Sequence, residues 1–308
     1  DPAAIADVRE ALGTLKEQGM TIVVVEHRLH FLRGLADQVL LMEAGAVTRR
    51  WSGEEFYSMT DEERCSLGLR TLGGPGPPET WVTSRGRGGG ATPDEAPRLS
   101  CRNLSFSYGD TPIFNEFNAD FYAGEISCIA GENGVGKTTL VRMLCGLVAP
   151  NSGEISLDGV TSSRRHRRAA CALVMQDTGR QLFSDTLSGE LTIGASDAGG
   201  EAGEKLLADF DLANLGDRHP LSLSGGQKQR LVIAAARAAR RPIVILDEPT
   251  SGVDARHLDS ITATLRRIAD EGAAVIVVTH DGEFASACAD RLITLRPLDE
   301  TCACEGEH

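Results

Sequence analysis

Nine residues, Gly131-Glu132-Asn133-Gly134-Val135-Gly136-Lys137-Thr138-Thr139, stand between the run Glu125-Ile126-Ser127-Cys128-Ile129-Ala130 and a segment with apolar residues at Leu140, Val141, Leu144 and Leu147. The run reads as a buried strand and the spacing after it as a helix, so GxxxxGK[ST] occurs in strand, loop, helix order. This order confines the chain to α/β folds in which a strand feeds a helix through a tight glycine turn. The glycines let successive backbone N–H groups turn inward around a phosphate chain, where the helix N-terminus adds positive potential. Lys137 is spaced to reach the β- and γ-phosphates as a point charge, and the Thr138 hydroxyl to ligate Mg²⁺.

Two further segments suit the same chemistry. Ile243-Val244-Ile245-Leu246-Asp247-Glu248 is a β-branched run whose carboxylates fall at its carboxyl end, where open α/β sheets place ligands. Asp247 fits a Mg²⁺ role, usually through water, and Glu248 then polarises an attacking water as general base. Leu223-Ser224-Gly225-Gly226-Gln227 opens an Ala-rich helix expected to run to about Arg240, with Ser224 as N-cap, which makes a second anion site.

Residues 1 to 47 repeat residues 254 to 300 at a constant offset, 280 − 27 = 253. Asp1 matches Asp254, Gly19 matches Gly272, and Ile22-Val23-Val24-Val25 matches Val275-Ile276-Val277-Val278. His27 matches His280, Phe31 matches Phe284, and Asp37 matches Asp290. Each copy reads as a helix, a glycine stop, a buried strand ending in His, and another helix, which indicates a duplicated domain. Every second-copy position below 254 has its counterpart before residue 1, so only the C-terminal third of the first copy is expected here, from a parent of about 450 to 600 residues. Residues 1–70 are then the end of the first domain, closed by a capped helix from Thr60-Asp61-Glu62-Glu63 to about Leu69. Residues 71–98 are a Gly/Pro-rich linker, 99–298 a complete second domain, and 299–308 a tail.

Together these segments resemble an ATP-binding cassette (ABC) ATPase, with Leu223 to Gln227 matching that family's signature motif. The resemblance implies a P-loop NTPase core with a mixed or parallel sheet and an inserted helical subdomain at about 177–222 that faces the transporter. It implies that ATP is held by Tyr108, stacked on adenine, and by Gly131, Glu132, Asn133, Gly134, Val135, Gly136, Lys137, Thr138 and Thr139. Ser224, Gly225, Gly226 and Gln227, with Asp254 of the D-loop Ser251-Gly252-Val253-Asp254, complete that set. The D-loop has Gly-Val where the family more often has Ala-Leu. Catalysis would rest on Glu248, on His280 as the switch His at the γ-phosphate, and on Gln176. Thr138, Gln176 and Asp247 would serve Mg²⁺. Two cassettes pack head to tail in this family, so a second ABC domain, from the missing half or another copy, is an expected partner.

The segment Arg180-Gln181-Leu182-Phe183-Ser184-Asp185-Thr186-Leu187 is similar to the QLF segment of energy-coupling factor (ECF-type) ATPases, which drive import of vitamins and metal ions. The first copy is similar to the first half of fused two-cassette members of that group. This likeness implies a transmembrane coupling subunit and a substrate-binding membrane subunit as partners, and a cytoplasmic protein peripheral on the inner face of the membrane. An exporter ATPase, or a soluble ABC ATPase acting on nucleic acid or ribosomes, stays open as an alternative. A net charge of −13, from 31 Lys plus Arg against 44 Asp plus Glu, argues against a nucleic-acid partner. Arg164-Arg165-His166-Arg167-Arg168 reads as a solvated face. The scattered cysteines read as reduced and core-filling, and Cys302 and Cys304 beside His308 as part of a disordered tail.

Overall fold

The computed structural model describes residues 2–43, 45–72, 96–195, 199–250, 253 and 255–298. The expected tail, most of the expected linker, and Ser251, Gly252 and Asp254 of the expected D-loop lie outside the described residues. The chain divides into two compact units, Asp1–Gly76 with Gly252–Asp259, and Pro77–Ser251 with Ser260–His308.

In the first unit, helix α1 (Pro2–Glu17) stops at Gly19, whose φ of +82° is left-handed. Strands β1 (Gln38–Glu43) and β2 (Ala46–Ser52) form an antiparallel pair, followed by α2 (Gly53–Ser58) and α3 (Asp61–Ser66). Both short helices carry reciprocal capping boxes, Ser52 with Glu55 and Thr60 with Glu63. Such boxes satisfy backbone donors that a two-turn helix cannot satisfy within itself. Helix α3 ends three residues before the expected Leu69, just ahead of Gly68 at φ +74°. Leu32, Phe56 and Tyr57 form a small core under Trp51 and Leu69.

The expected strand Ile22–Val25 does not form. Those residues are irregular, and Val23 and Val25 are 85% and 92% exposed. The helix expected after His27 is a short 3-10 turn, His30–Leu32. The reason is non-local: a parallel strand is stable only between neighbours that complete its ladder and cover its faces. In the second unit Ile126–Ala130 and Ile243–Asp247 perform this task for Ala274–Val278, and no strand pairs with 22–25 among the described residues.

The second unit begins with β3 (Leu99–Tyr108), β4 (Thr111–Phe121), β5 (Ile126–Ala130) and α4 (Lys137–Leu144). It continues through β6 (Ser152–Leu157), β7 (Val160–Thr161), α5 (Arg164–Ala170) and β8 (Cys171–Val174). Helices α6 (Leu187–Thr192), α7 (Gly200–Asp209) and α8 (Gly225–Ala238) precede β9 (Ile243–Asp247). The remaining elements are α9 (Ala255–Asp270), whose residues up to Asp259 are grouped with the first unit, β10 (Ala274–Val278), α10 (Gly282–Cys288) and β11 (Arg291–Thr294). The described residues of 177–222 carry α6, α7, 3-10 turns at Thr178–Arg180 and Pro220–Ser222, and no strand.

Two sheets organise this unit. The order β11-β5-β10-β9-β8 is parallel throughout, and β4-β3-β6-β7 is antiparallel. Strands β5, β9 and β10 are buried at every residue, which explains their unbroken apolar runs. Alternate residues Ile243, Ile245, Ile276 and Val278 meet Phe114, Phe121, Leu140 and Leu144 in one core.

Two readings of composition need correction. Arg167 is buried and donates to the Ser162 carbonyl, and Arg164 donates to the carbonyls of Gly146 and Leu147 at 3.1 and 2.7 Å. The basic run is therefore partly a clamp from α5 onto the end of α4, not only a solvated face. Among the described cysteines, Cys101, Cys128, Cys145 and Cys288 fill the core and Cys171 is half-buried, but Cys65 is exposed on α3.

Candidate functional site

The phosphate loop leaves β5 at Gly131, whose φ of +154° carries the chain past Leu295. A Cβ there would lie 2.7 Å from the Leu295 carbonyl oxygen. Gly136, the left-handed N-cap of α4, is equally constrained. Lys137 folds back across the loop, its Nζ donating to the carbonyls of Gly131 and Glu132 at 2.7 and 2.8 Å. Burial holds its pKa down, while the charges of Glu248 and Asp247 act in the opposite direction. Glu132 and Asn133 are exposed at the loop tip, Gly134 takes φ +84°, and Val135 and Thr139 are buried beneath it.

Because β5, β10 and β9 are adjacent and parallel, their carboxyl ends converge on this loop. Thr138 Oγ1 donates to Asp247 Oδ2 at 3.0 Å, so the structure joins two of the three expected Mg²⁺ ligands directly. Burial pushes the Asp247 carboxyl up, the Thr138 hydrogen bond pulls it down, and Glu248 adds to the upward push. Glu248 follows β9 with a left-handed φ of +53°, and its N–H donates to the Val278 carbonyl at 2.8 Å. Its Oε1 lies 2.8 Å from His280 Nδ1. Glu248 Oε2 is buried and has no hydrogen-bond partner among the described residues.

The other expected residues are less tightly joined. Gln176 lies exposed beyond the end of β8, the neighbour of β9. Tyr108 ends β3 half-exposed, edge-on to Phe106 with centroids 4.8 Å apart. Ser224 caps α8, with Ser224 N–H donating to Gln227 Oε1 at 3.0 Å and Gln227 N–H to Ser224 Oγ at 3.4 Å. Gly225 and Gly226 are the first residues of that helix, and a Cβ on Gly225 would meet nothing within 4 Å. Asp254 lies outside the described residues.

Two contacts escaped sequence reasoning. Gln181 accepts from Met175 N–H at 2.6 Å and donates to the Leu173 carbonyl at 2.7 Å, clipping the edge of β8 just before Gln176. Thr250 Oγ1 donates to Asp281 Oδ2 at 2.9 Å in the interior. The only sequence signal for the second was adjacency, since these residues closely follow Glu248 and His280.

The donor set suits a hard divalent cation bound alongside phosphates, a hydroxyl and a carboxylate on neighbouring elements. Among the described residues no cluster of three or more His, Cys, Asp or Glu could hold a metal by itself. No described helix is long and apolar enough to cross a membrane.

A family model described as ABC transporter matches residues 114–251. A Treponema denticola protein described as an ABC transporter ATP-binding protein is 35% identical over 300 residues, 96% of this chain and 60% of its own length. The cobalt import ATP-binding protein CbiO of Rhodobacter capsulatus is 34% identical over 212 residues, 65% of this chain and 76% of that protein. The structure of cbiO1 from Clostridium perfringens, described as part of the ABC transporter complex cbiONQ, matches at 29% identity and a TM-score of 0.58. That match covers 66% of this chain and 86% of the other. The chain spans 43% to 60% of the length of the curated relatives that it matches over 96% of its own residues. These likenesses give the second unit the P-loop NTPase fold of ABC ATPase domains, and the chain belongs to the ABC transporter ATP-binding proteins.

Proposed function

We propose that the chain binds and hydrolyses MgATP as part of a transport ATPase, and that it energises ECF-type import of a vitamin or metal ion. The observation that carries the hydrolytic reading is the Glu248–His280 pair at 2.8 Å beside the Thr138–Asp247 bond, on adjacent strand ends. A buried carboxylate oxygen without a partner suits a general base, because a water donating to it would be the missing partner. Water attacks the γ-phosphorus in line with the bond to the β-phosphate, and its proton passes to Glu248. ADP leaves with the electrons of the broken P–O bond. The loop amides and Lys137 hold the phosphates, and His280 supports the γ-phosphate. Thr138, Asp247 and Gln176 would hold Mg²⁺, which when bound would supply positive charge to the phosphate oxygens. Tyr108 stacks on adenine, and Ser224 to Gln227 with Asp254 close on a nucleotide held by a second cassette.

The import reading rests on the QLF-type run Arg180–Leu187 and on the likeness to a cobalt import ATPase. Phe183, Ile193 and Leu221, exposed in the helical segment, suit apolar docking to a transmembrane coupling subunit, beside which a substrate-binding membrane subunit would act. The chain would then work at the cytoplasmic face of the membrane. Residues 1–70 are read as the end of a first cassette and 99–298 as a second. In support, α1 and α9 match end for end at the offset, Pro2 with Ala255 and Glu17 with Asp270. Gly272 repeats the left-handed stop of Gly19, at φ +95°.

Glu248→Gln keeps the shape and removes the base. Turnover should fall by about 10² to 10⁴-fold with ATP affinity retained, as measured by phosphate release and nucleotide titration. Undiminished turnover overturns the hydrolytic reading. Stable copurification with a polytopic membrane protein supports the transport reading, and stimulation by nucleic acid or ribosomes instead refutes it.

A further inference from the structure

Among the described residues, the loops that end β9 and β10 are joined by three rungs. The first is the backbone bond from Glu248 N–H to the Val278 carbonyl, and the second is the Glu248–His280 side-chain pair. The third is the bond from Thr250 Oγ1 to Asp281 Oδ2, whose residues are 1% and 3% exposed. Further bonds to described residues fix Asp281 itself. Its N–H donates to Thr279 Oγ1 at 3.0 Å, its Oδ1 accepts from Phe284 N–H at 3.3 Å, and its carbonyl accepts from Ala285 N–H at 2.9 Å. The carboxylate that receives Thr250 therefore belongs to the rigid start of α10, one residue from His280.

Glu248 needs such support. A left-handed φ at a residue with a Cβ is a strained conformation that persists only where its surroundings over-determine it. The first rung holds its amide, and the second holds one carboxylate oxygen. Both act on Glu248 alone, whereas the third rung ties the chain two residues further on, and being sealed from water it is expensive to leave unmade.

We propose that Thr250 and Asp281 are positioning residues for hydrolysis, fixing the separation and mutual orientation of Glu248 and His280 without touching nucleotide. This inference rests on the reading of Glu248 as the base. The pair acts through geometry and not through a proton. Turnover is therefore more sensitive to it than ground-state nucleotide binding, which rests chiefly on Lys137, Thr138 and the loop amides.

The test uses the full chain with Thr250→Val, which removes the hydroxyl at nearly constant volume, and Thr250→Ser, which keeps it. MgATP turnover and KM are measured beside the ring-nitrogen resonances of His280 in ¹⁵N-histidine-labelled protein, identified by their loss in His280→Gln. The expected result for Thr250→Val is a kcat reduced about tenfold or more with KM within about twofold, and displaced His280 resonances. Thr250→Ser should restore both readouts. Unmoved His280 resonances in Thr250→Val, equal behaviour of the Val and Ser chains, or a KM that moves as far as kcat overturns the proposal. Glu248→Gln separates the two levels. If it abolishes turnover while Thr250→Val leaves turnover intact, the positioning role fails alone, and if it leaves turnover intact, the hydrolytic reading itself fails.

Discussion

Gly136 compresses the logic of the phosphate loop into one residue. Its φ is +102°, and a Cβ would lie 2.4 Å from Ile113 Cγ2 and 2.9 Å from Phe114 Cζ. The backbone must pass this close so that Lys137 starts α4 with its amine over Gly131 and Glu132. Gly136→Ala should therefore cost about 1 to 3 kcal/mol, read as a lower urea midpoint, together with loss of nucleotide binding. An unchanged midpoint would show that the loop relaxes freely. The sequence motif requires a glycine here for its backbone freedom, but it does not reveal that Ile113 and Phe114 of β4 form the wall. The same holds for Glu248, where two acids at a strand end are legible, and the left-handed turn that aims the second at His280 is not.

At the scale of elements, local chemistry is the most readable. The order Thr-Asp-Glu-Glu marked the start of α3, and the structure has the reciprocal bonds, Glu63 N–H to Thr60 Oγ1 at 3.2 Å and Thr60 N–H to Glu63 Oε2 at 2.8 Å. Thr60→Ala should destabilise α3 by about 1 kcal/mol, measured as faster amide exchange at Glu63. The short helices also carry a pH signature. The Ser52 amide and hydroxyl hold Glu55 below its ordinary 4.5, and the Leu72 amide followed by Arg64 holds Asp61 below its ordinary 3.8. With both groups lowered on folding, the folded form binds protons less readily than the unfolded one. Their stabilising effect is thus complete above the ordinary carboxylate values and is lost as pH falls through the lowered ones. Amide exchange across α2 and α3 should accelerate as pH drops below about 4 relative to a Glu55→Gln, Asp61→Asn reference, after correction for intrinsic exchange rates. Equal acceleration in the reference would remove this account.

At the scale of the molecule, the two copies of one sequence pattern have different fates. Val275–Val278 is completed by β5 on one side and β9 on the other, whereas Ile22–Val25, also rich in β-branched residues, has no such neighbours among the described residues, and Val23 to Val25 lie exposed. Helix α1 forms regardless, because a helix satisfies its backbone internally. Residues 1–308 hold one phosphate loop and one signature, so the proposed closure on nucleotide would draw on a second cassette. In the Glu248→Gln chain, MgATP should therefore promote association with another copy, read as a doubled mass by light scattering and reversed by removing Mg²⁺. A mass that stays at one chain at concentrations saturating for nucleotide would argue that the signature of this chain does not serve a second copy.

Sequence alone determined what depends on near neighbours in the chain: the strand, loop, helix order around Lys137, the capped starts of α3 and α8, and the 253-residue repeat. It also determined which residue types were available for phosphate chemistry. Tertiary structure alone decided which of those residues meet. Thr138 reaches Asp247 across 109 positions and Glu248 reaches His280 across 32, because parallel pairing brings the carboxyl ends of β5, β10 and β9 side by side. It also decided that Arg167 is buried, that Thr250 is tied to Asp281, and that Ile22–Val25 is not a strand. The physical reason is common to all three: burial and strand pairing are set by partners distant in the chain, which a local pattern can permit but cannot supply.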